Sequence, residues 1–238
     1  MRPPLAPTES QSLETEIKYV VPAYRTKLAL RMLERACDPD PQFPFGIVSS
    51  IYYDSQNWDY LREKRNSDYL KTKVRLRWYE QIQATKEGPD ASFAEIKYRI
   101  GSKRMKIRMP TEFPGRYLSE TTLDNTELLK IPAALAAKGA PILQPIFPAF
   151  AVRYCRRRYV DKLTSARICI DYEISSPKSN PIMLATTFPC VLPKIVLEVK
   201  GSDGDFPLGL RNLLKLGFRR ESFSKYYECY GQLTRTFF

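Results

Sequence analysis

The chain has 238 residues, a formal net charge of +12 and no histidine. The length suits one domain with a sizeable core, and the charge implies an anionic partner without saying which. The missing histidine excludes Ser-His-Asp and Cys-His catalysis and His-ligated zinc, so acid, base and metal chemistry would fall to carboxylates, Lys and Tyr.

Residues 1–12 contain Pro and Ser without an apolar h-region and read as a flexible tail rather than a signal, leaving 13–238 as one domain. A strand is expected over Thr15–Val21, stopped by Pro22, then a helix over Ala23–Ala36 with Leu28, Met32 and Leu33 on its inner side. Asp38-Pro39-Asp40-Pro41 ends that helix. Gly46–Asp54 is β-rich, a short helix follows around Trp58–Lys64, and Lys73–Tyr79 is the next strand. Lys86-Glu87-Gly88-Pro89-Asp90 turns the chain into a strand at Phe93–Arg99, and Gly101-Ser102 leads into Lys103–Met109. A helix capped at Asp124–Thr126 is expected to run to Lys138 and close at Gly139. Strands follow at Ala151–Val160 and Arg167–Ile174, and Pro193 opens another that contains Glu198. A final helix over Pro207–Leu216 stops at Gly217, before a tail at Phe223–Tyr227. Long runs of strands with a few helices indicate an α+β domain whose antiparallel sheet closes as a barrel.

Five cysteines, Cys37, Cys155, Cys169, Cys190 and Cys229, are scattered without a Cys-x-x-Cys pair. They read as reduced thiols of an intracellular, cytoplasmic protein. No run of about 18 apolar residues occurs, so a soluble chain is expected, with a membrane partner left open.

Side chains alternate across a strand, so Lys73, Arg75, Arg77 and Tyr79 share one face while Val74, Leu76 and Trp78 share the other. The same basic-plus-acidic face recurs in Glu14/Glu16/Lys18, Glu95/Lys97/Arg99, Arg104/Lys106/Arg108, Arg167/Asp171/Glu173 and Glu198/Lys200. One such strand is ordinarily a solvated face. Six of them, on a sheet that curls, converge on an interior of cations and a few carboxylates, suited to a polyanion with bound metal. Within Arg156-Arg157-Arg158, alternation selects Arg156 and Arg158 for that interior and leaves Arg157 outside. Tyr52, Tyr53, Trp58 and Trp78 read as core, and Asp171 and Glu173 as partners of Arg167.

In order along the chain, Glu14-Thr15-Glu16-Ile17-Lys18-Tyr19, Ser50-Ile51-Tyr52-Tyr53-Asp54, Lys73–Tyr79, Glu95-Ile96-Lys97, Tyr154-Cys155-Arg156, Arg167–Asp171, Leu197-Glu198-Val199-Lys200 and Ser224-Lys225-Tyr226 resemble the triphosphate tunnel metalloenzymes. Within them they are most similar to the VTC domain of polyphosphate polymerases. The resemblance implies a tunnel of about eight antiparallel strands with flanking helices. It implies transfer of the γ-phosphate of ATP to a growing polyphosphate chain, with Mn2+ or Mg2+ as cofactor. Carried over, Lys18, Arg75, Arg77, Lys97, Arg156, Arg167 and Lys225 bind phosphate, with Ser224 beside the nucleotide. Glu198 is the implied metal ligand and Glu16 a second candidate. The expected partners are ATP and inorganic polyphosphate, not nucleic acid; oligomeric state stays open. Glu14 departs from the polymerase pattern, because tunnel hydrolases usually carry Glu-x-Glu-x-Lys on the first strand. A tunnel triphosphatase is therefore the nearest rival, and a non-catalytic polyanion- or RNA-binding module the rival from another class.

Overall fold

The computed structural model describes residues 15–66, 69–80, 90–101, 103–142, 144–201 and 206–236. The expected N-terminal tail, Glu14 and the Lys86–Pro89 turn lie outside them. Strand β1 (Thr15–Pro22) passes through a 3₁₀ turn at Ala23–Arg25 into α1 (Thr26–Ala36). Helix α1 buries Ala29 and Leu33 and exposes Lys27, Arg31 and Arg35, the division expected of an amphipathic helix. Leu28, expected inside, falls one position off that stripe and is exposed.

The chain continues through β2 (Cys37–Pro39), β3 (Phe45–Asp54), α2 (Asp59–Arg65), β4 (Leu70–Glu80), β5 (Ser92–Ile100) and β6 (Lys103–Thr111). The helix expected over Asp124–Lys138 is a 3₁₀ turn at Thr126–Leu129 and then α4 (Lys130–Ala137), preceded by α3 (Gly115–Glu120). Asn125 caps it by accepting from the Glu127 N–H at 2.9 Å, and Gly139 ends it at φ +84°. Next come β7 (Phe147–Asp161), β8 (Arg167–Ser176), β9 (Cys190–Val191) and β10 (Lys194–Gly201). The helix expected over Pro207–Leu216 is a 3₁₀ turn and one helical turn, α5 (Arg211–Leu214). After β11 (Arg219–Arg220), the stretch expected to be a tail is instead helix α6 (Lys225–Thr234).

Among the described residues the strands form one antiparallel eleven-stranded sheet in the order β11-β1-β10-β8-β7-β3-β4-β5-β6, with β2 on β7 and β9 on β8. It curls until residues of β1 and β6 line one cavity, yet among the described residues the edge strands β6 and β11 do not pair with each other, so the expected closed barrel is an open, curled sheet. Charge opposes further closure. Closure would bring strands to about 4.8 Å while Lys106 and Arg108 of β6 met Lys18 beside β11.

The apolar faces point outward and are covered by helices. Val74, Leu76, Trp78, Ala94 and Ile96 pack with Leu118 of α3 and Leu135 of α4. Ile17, Tyr19, Ile168, Ile170, Leu197 and Val199 pack with Ala29 and Leu33 of α1. Tyr226, Cys229 and Leu233 of α6 pack with Tyr52, Phe150 and Val152. This leaves the charged faces to the concave side. A register shift between Arg153 and Cys155, where Glu173 takes φ +52°, breaks the alternation of β8. Asp171 is therefore fully buried while Glu173 is exposed and accepts from the Cys155 thiol.

Candidate phosphate-binding tunnel

The concave side of the sheet holds a cavity of about 680 Å³, lined by twelve Lys and Arg side chains and four carboxylates. Its centre is built where β7, β8, β10 and the first turn of α6 meet. The register places Arg156 opposite Asp171, and Glu198 opposite Lys18. Arg156 donates to both oxygens of Asp171, at 2.6 and 2.7 Å, and its Nη2 also donates to Glu198 Oε2 at 3.0 Å. Lys225 Nζ lies 2.5 Å from Asp171 Oδ2 and 3.5 Å from Glu198 Oε1. Lys18 Nζ lies 3.7 Å from Glu198 and 3.4 Å from Glu16, and Lys200 lies 3.5 Å from Glu16.

Burial pushes the Glu198 carboxyl upward, but Lys225, Arg156 and Lys18 outweigh it and hold the group well below the usual carboxylate range. Asp171 is lowered in the same way, against its burial, by Arg156 and Lys225. Burial works against the Lys225 ammonium, and Asp171 and Glu198 overcome it, so that amine stays charged. Both cations also sit over the Tyr154 ring, Lys225 Nζ at 4.6 Å from its centroid and Arg156 at 5.4 Å.

A second cluster lies on β4–β6. Arg75 donates through Nε and Nη2 to Glu95 Oε2, at 2.8 and 2.6 Å, and Arg108 and Lys106 approach Glu95 at 3.4 and 3.7 Å. Burial raises the Glu95 carboxyl, but Arg75, Arg77 and Lys106 bring it down to about 2. Arg77 is held by neutral groups, Ser50 Oγ at 3.0 Å and the Tyr154 hydroxyl at 3.3 Å. Lys97 opens to solvent within the cavity; enclosure by the walls, with Arg75 beside it, lowers its ammonium to about 7.

The structure thus brings together Lys18, Arg75, Arg77, Lys97, Arg156, Ser224, Lys225, Glu198 and Glu16 on one cavity. Arg167 sits on the inward face opposite Lys200 but is exposed, outside the lining. Arg158 also falls outside the lining, donating to the Phe43 carbonyl at 3.1 Å, while Arg157 is outside as expected, paired with Glu34. Asp171 pairs with Arg156 and Lys225 rather than with Arg167, because it lies four residues further along β8. Tyr53 and Trp78 are core, Trp58 is half-buried, and Tyr52, read as core, is buried and also faces the cavity. Lys73 and Glu95, which alternation on β4 and β5 put on the inward face without a role, line the site, and so does Tyr154, which was not expected there.

The donor set bears on a divalent ion. Among the described residues no three carboxylate or thiol groups cluster as a self-contained metal cage. A hard cation of the Mg2+ or Mn2+ kind needs one or two carboxylates, with substrate phosphates and water completing its shell. Glu198 and Glu16 face the cavity and influence each other electrostatically, so they fit that requirement.

The VTC domain, as a protein family, matches residues 13–234. No curated protein is similar to the chain in sequence. Among solved structures, a candidate adenylate cyclase of Bacillus halodurans is 11% identical at a TM-score of 0.52, with 89% of this chain and 93% of that one covered. The PH1819 protein of Pyrococcus horikoshii OT3 is 13% identical at a TM-score of 0.46, over 90% of this chain and 97% of its own. Among the described residues no helix is long and apolar enough to cross a membrane.

Proposed function

This chain belongs to the VTC domain family, a triphosphate-tunnel type of protein, and from that premise we propose that it is a polyphosphate polymerase that moves the γ-phosphate of ATP onto an inorganic polyphosphate chain. The observation that carries the reading is the excess of cations: twelve basic against four acidic residues line the tunnel, more than one triphosphate needs. A polymerase holds two phosphate chains at once, a donor and an acceptor.

In the proposed reaction a terminal oxygen of the acceptor chain attacks the γ-phosphorus of ATP. The new P–O bond forms as the bond to the β-phosphate bridge breaks, and ADP leaves. The acceptor oxygen is already anionic at neutral pH, so no strong general base is required, which fits a chain without histidine. Catalysis then consists of positioning and charge neutralisation. Arg156 and Lys225 are held in place by Asp171 and Glu198 and stay charged. Arg75 is fixed by Glu95 and Arg77 by Ser50, so these guanidiniums meet phosphate oxygens with little reorganisation. Glu198 and Glu16 would hold Mn2+ or Mg2+, which supplies Lewis-acid neutralisation of the phosphate oxygens when bound.

The test is Glu198→Gln. With ATP and Mn2+, wild type should release ADP, and this variant should lose turnover at least about a hundredfold, as for loss of a principal electrostatic group. Its tripolyphosphate binding should survive, since the substitution removes a negative charge from a cationic tunnel. Full turnover in the variant, or in excess EDTA, contradicts the metal role. Metal-independent binding without any turnover in wild type makes the chain a polyanion-binding module.

A further inference from the structure

The sheet register sets Lys73 directly opposite Lys97, and Lys97 directly opposite Lys106. Like charges directly opposite on one sheet face destabilise the pairing. The next inward row of the same strands avoids this by placing Glu95 between Arg75 and Arg108, and Glu95 draws Lys106 toward it as well. Lys73 and Lys97 have no such clamp: among the described residues neither forms an ion pair with a carboxylate, and only Lys97 has one, Glu16, acting on it from further off. The hydrogen bond of Lys73 goes to a neutral group, Ser224 Oγ, at 3.1 Å.

Lys73 is half-buried and lines the cavity. The charged groups that weigh most on it are cations, Lys18 from β1, Arg75 from its own strand, Lys97 from β5 and Lys225 from α6, while the Glu63 carboxylate of α2 is taken up by the Thr72 N–H at 2.6 Å. An amine so placed gains when a polyanion enters the tunnel. Ser224 and Lys225 are consecutive, so the place at Lys73 adjoins the Arg156–Lys225–Glu198 cluster without sharing its carboxylates.

We propose that Lys73, hydrogen-bonded to Ser224 and paired across the sheet with Lys97, is a further anion-binding residue that receives a phosphate unit of the acceptor chain and needs no metal to do so. The naming of the occupant as acceptor chain rests on the polymerase reading; the binding of phosphate there does not. The Ser224 hydroxyl, which accepts from Lys73, keeps its own proton to donate to a phosphate oxygen. Lys73 supplies the compact point charge suited to a single phosphate oxygen. Burial, with Lys18, Arg75, Lys97 and Lys225, holds the Lys73 ammonium well below its ordinary range. Binding of a polyphosphate supplies the missing negative charge, so the tunnel takes up protons as it fills.

The experiment is titration calorimetry with tripolyphosphate in excess EDTA at about pH 8, in two buffers of different ionisation heat, on wild type, Lys73→Met and Lys73→Arg. Wild type should bind with net proton uptake. Lys73→Met should bind about tenfold or more weakly, the usual worth of a charged hydrogen bond, and take up fewer protons. Lys73→Arg, permanently charged, should keep most of the affinity and lose the same share of the uptake. Wild-type affinity and wild-type uptake in Lys73→Met overturn the assignment. If Lys73→Met does not give a cooperative melt, unchanged uptake in Lys73→Arg overturns it instead. A chain that shows the expected pattern but makes no polyphosphate keeps this subsite and loses the polymerase reading. One that makes polyphosphate with wild-type binding in both variants keeps the reading and loses the subsite.

Discussion

Asp171→Asn tests whether the centre of the tunnel is held by its carboxylates. Asp171 has 0% exposure, accepts two hydrogen bonds from Arg156 at 2.6 and 2.7 Å, and lies 2.5 Å from Lys225. The substitution keeps the shape and one acceptor oxygen but leaves the buried Lys225 and the largely buried Arg156 to share Glu198. Removing one partner of a buried pair costs about 3–5 kcal/mol, and the retained oxygen places this variant at about 3 kcal/mol. In a chain of this length each kcal/mol moves the melting temperature by about 2–4 °C, so the loss should be roughly 6–12 °C. Thermal and urea denaturation measure it directly. Saturating tripolyphosphate should shrink the difference, because the ligand supplies negative charge to the same two cations. The sign with pH follows from the lowered carboxyl of Asp171. Its stabilisation is present above the ordinary carboxylate pKa and is lost as pH falls through the folded value, so wild type and variant should converge in acid. A destabilisation below about 1 kcal/mol near neutrality, where a surface pair would fall, refutes the argument.

Lys97 is lowered to about 7, so between that value and its ordinary pKa the unfolded chain binds more protons and stability rises with pH. Lys97→Met should flatten that rise in urea denaturation between about pH 7 and 10; parallel profiles would remove Lys97 as its source. Trp78, 3% exposed and donating from Nε1 to Ser119 at 3.1 Å, should cost about 3–5 kcal/mol when cut to Ala. A loss under about 1 kcal/mol in the same measurement would mean that the outer face of β4 is not core.

The inner and outer faces of β4 were legible because side chains alternate with period two and each face has one character. Val74, Leu76 and Trp78 could only face a core, and Arg75 and Arg77 could only face the opposite side. What the alternation could not convey was how those cations are held. Arg75, Arg77 and Lys97 look equivalent in sequence, yet Arg75 is clamped by Glu95, Arg77 is held by hydroxyls, and Lys97 feels Glu16 without forming an ion pair among the described residues. Those differences depend on cross-strand register, which sets Arg75 opposite Glu95 and Arg77 opposite Ser50, 20 and 27 positions apart. It follows that Arg75→Ala removes a buried ion pair and costs stability, whereas Lys97→Ala relieves repulsion.

Helix α6 was hidden for a different reason. Lys225-Tyr226-Tyr227-Glu228-Cys229-Tyr230 is rich in aromatics of middling helix propensity. Tertiary packing supplies what propensity lacks: Tyr226 stacks on Tyr52 and Phe150, at 4.9 and 5.0 Å between centroids, and donates to the buried Asp54 at 2.6 Å. That anchor aims Lys225 into the tunnel. The bulge at Glu173 carried no glycine to announce it, so alternation placed Asp171 and Glu173 on one face where the backbone separates them.

The most direct measurement of the central claim is the product made by purified protein from ATP and Mn2+, resolved by length on a gel and by phosphorus NMR. ADP is expected together with a ladder of long polyphosphate and its internal phosphate resonance, the last two lost in Lys225→Ala and Arg156→Ala and retained in Glu14→Ala. Free phosphate equal to the ADP formed, with no ladder and with activity abolished by Glu14→Ala, would contradict it and make the chain a tunnel triphosphatase.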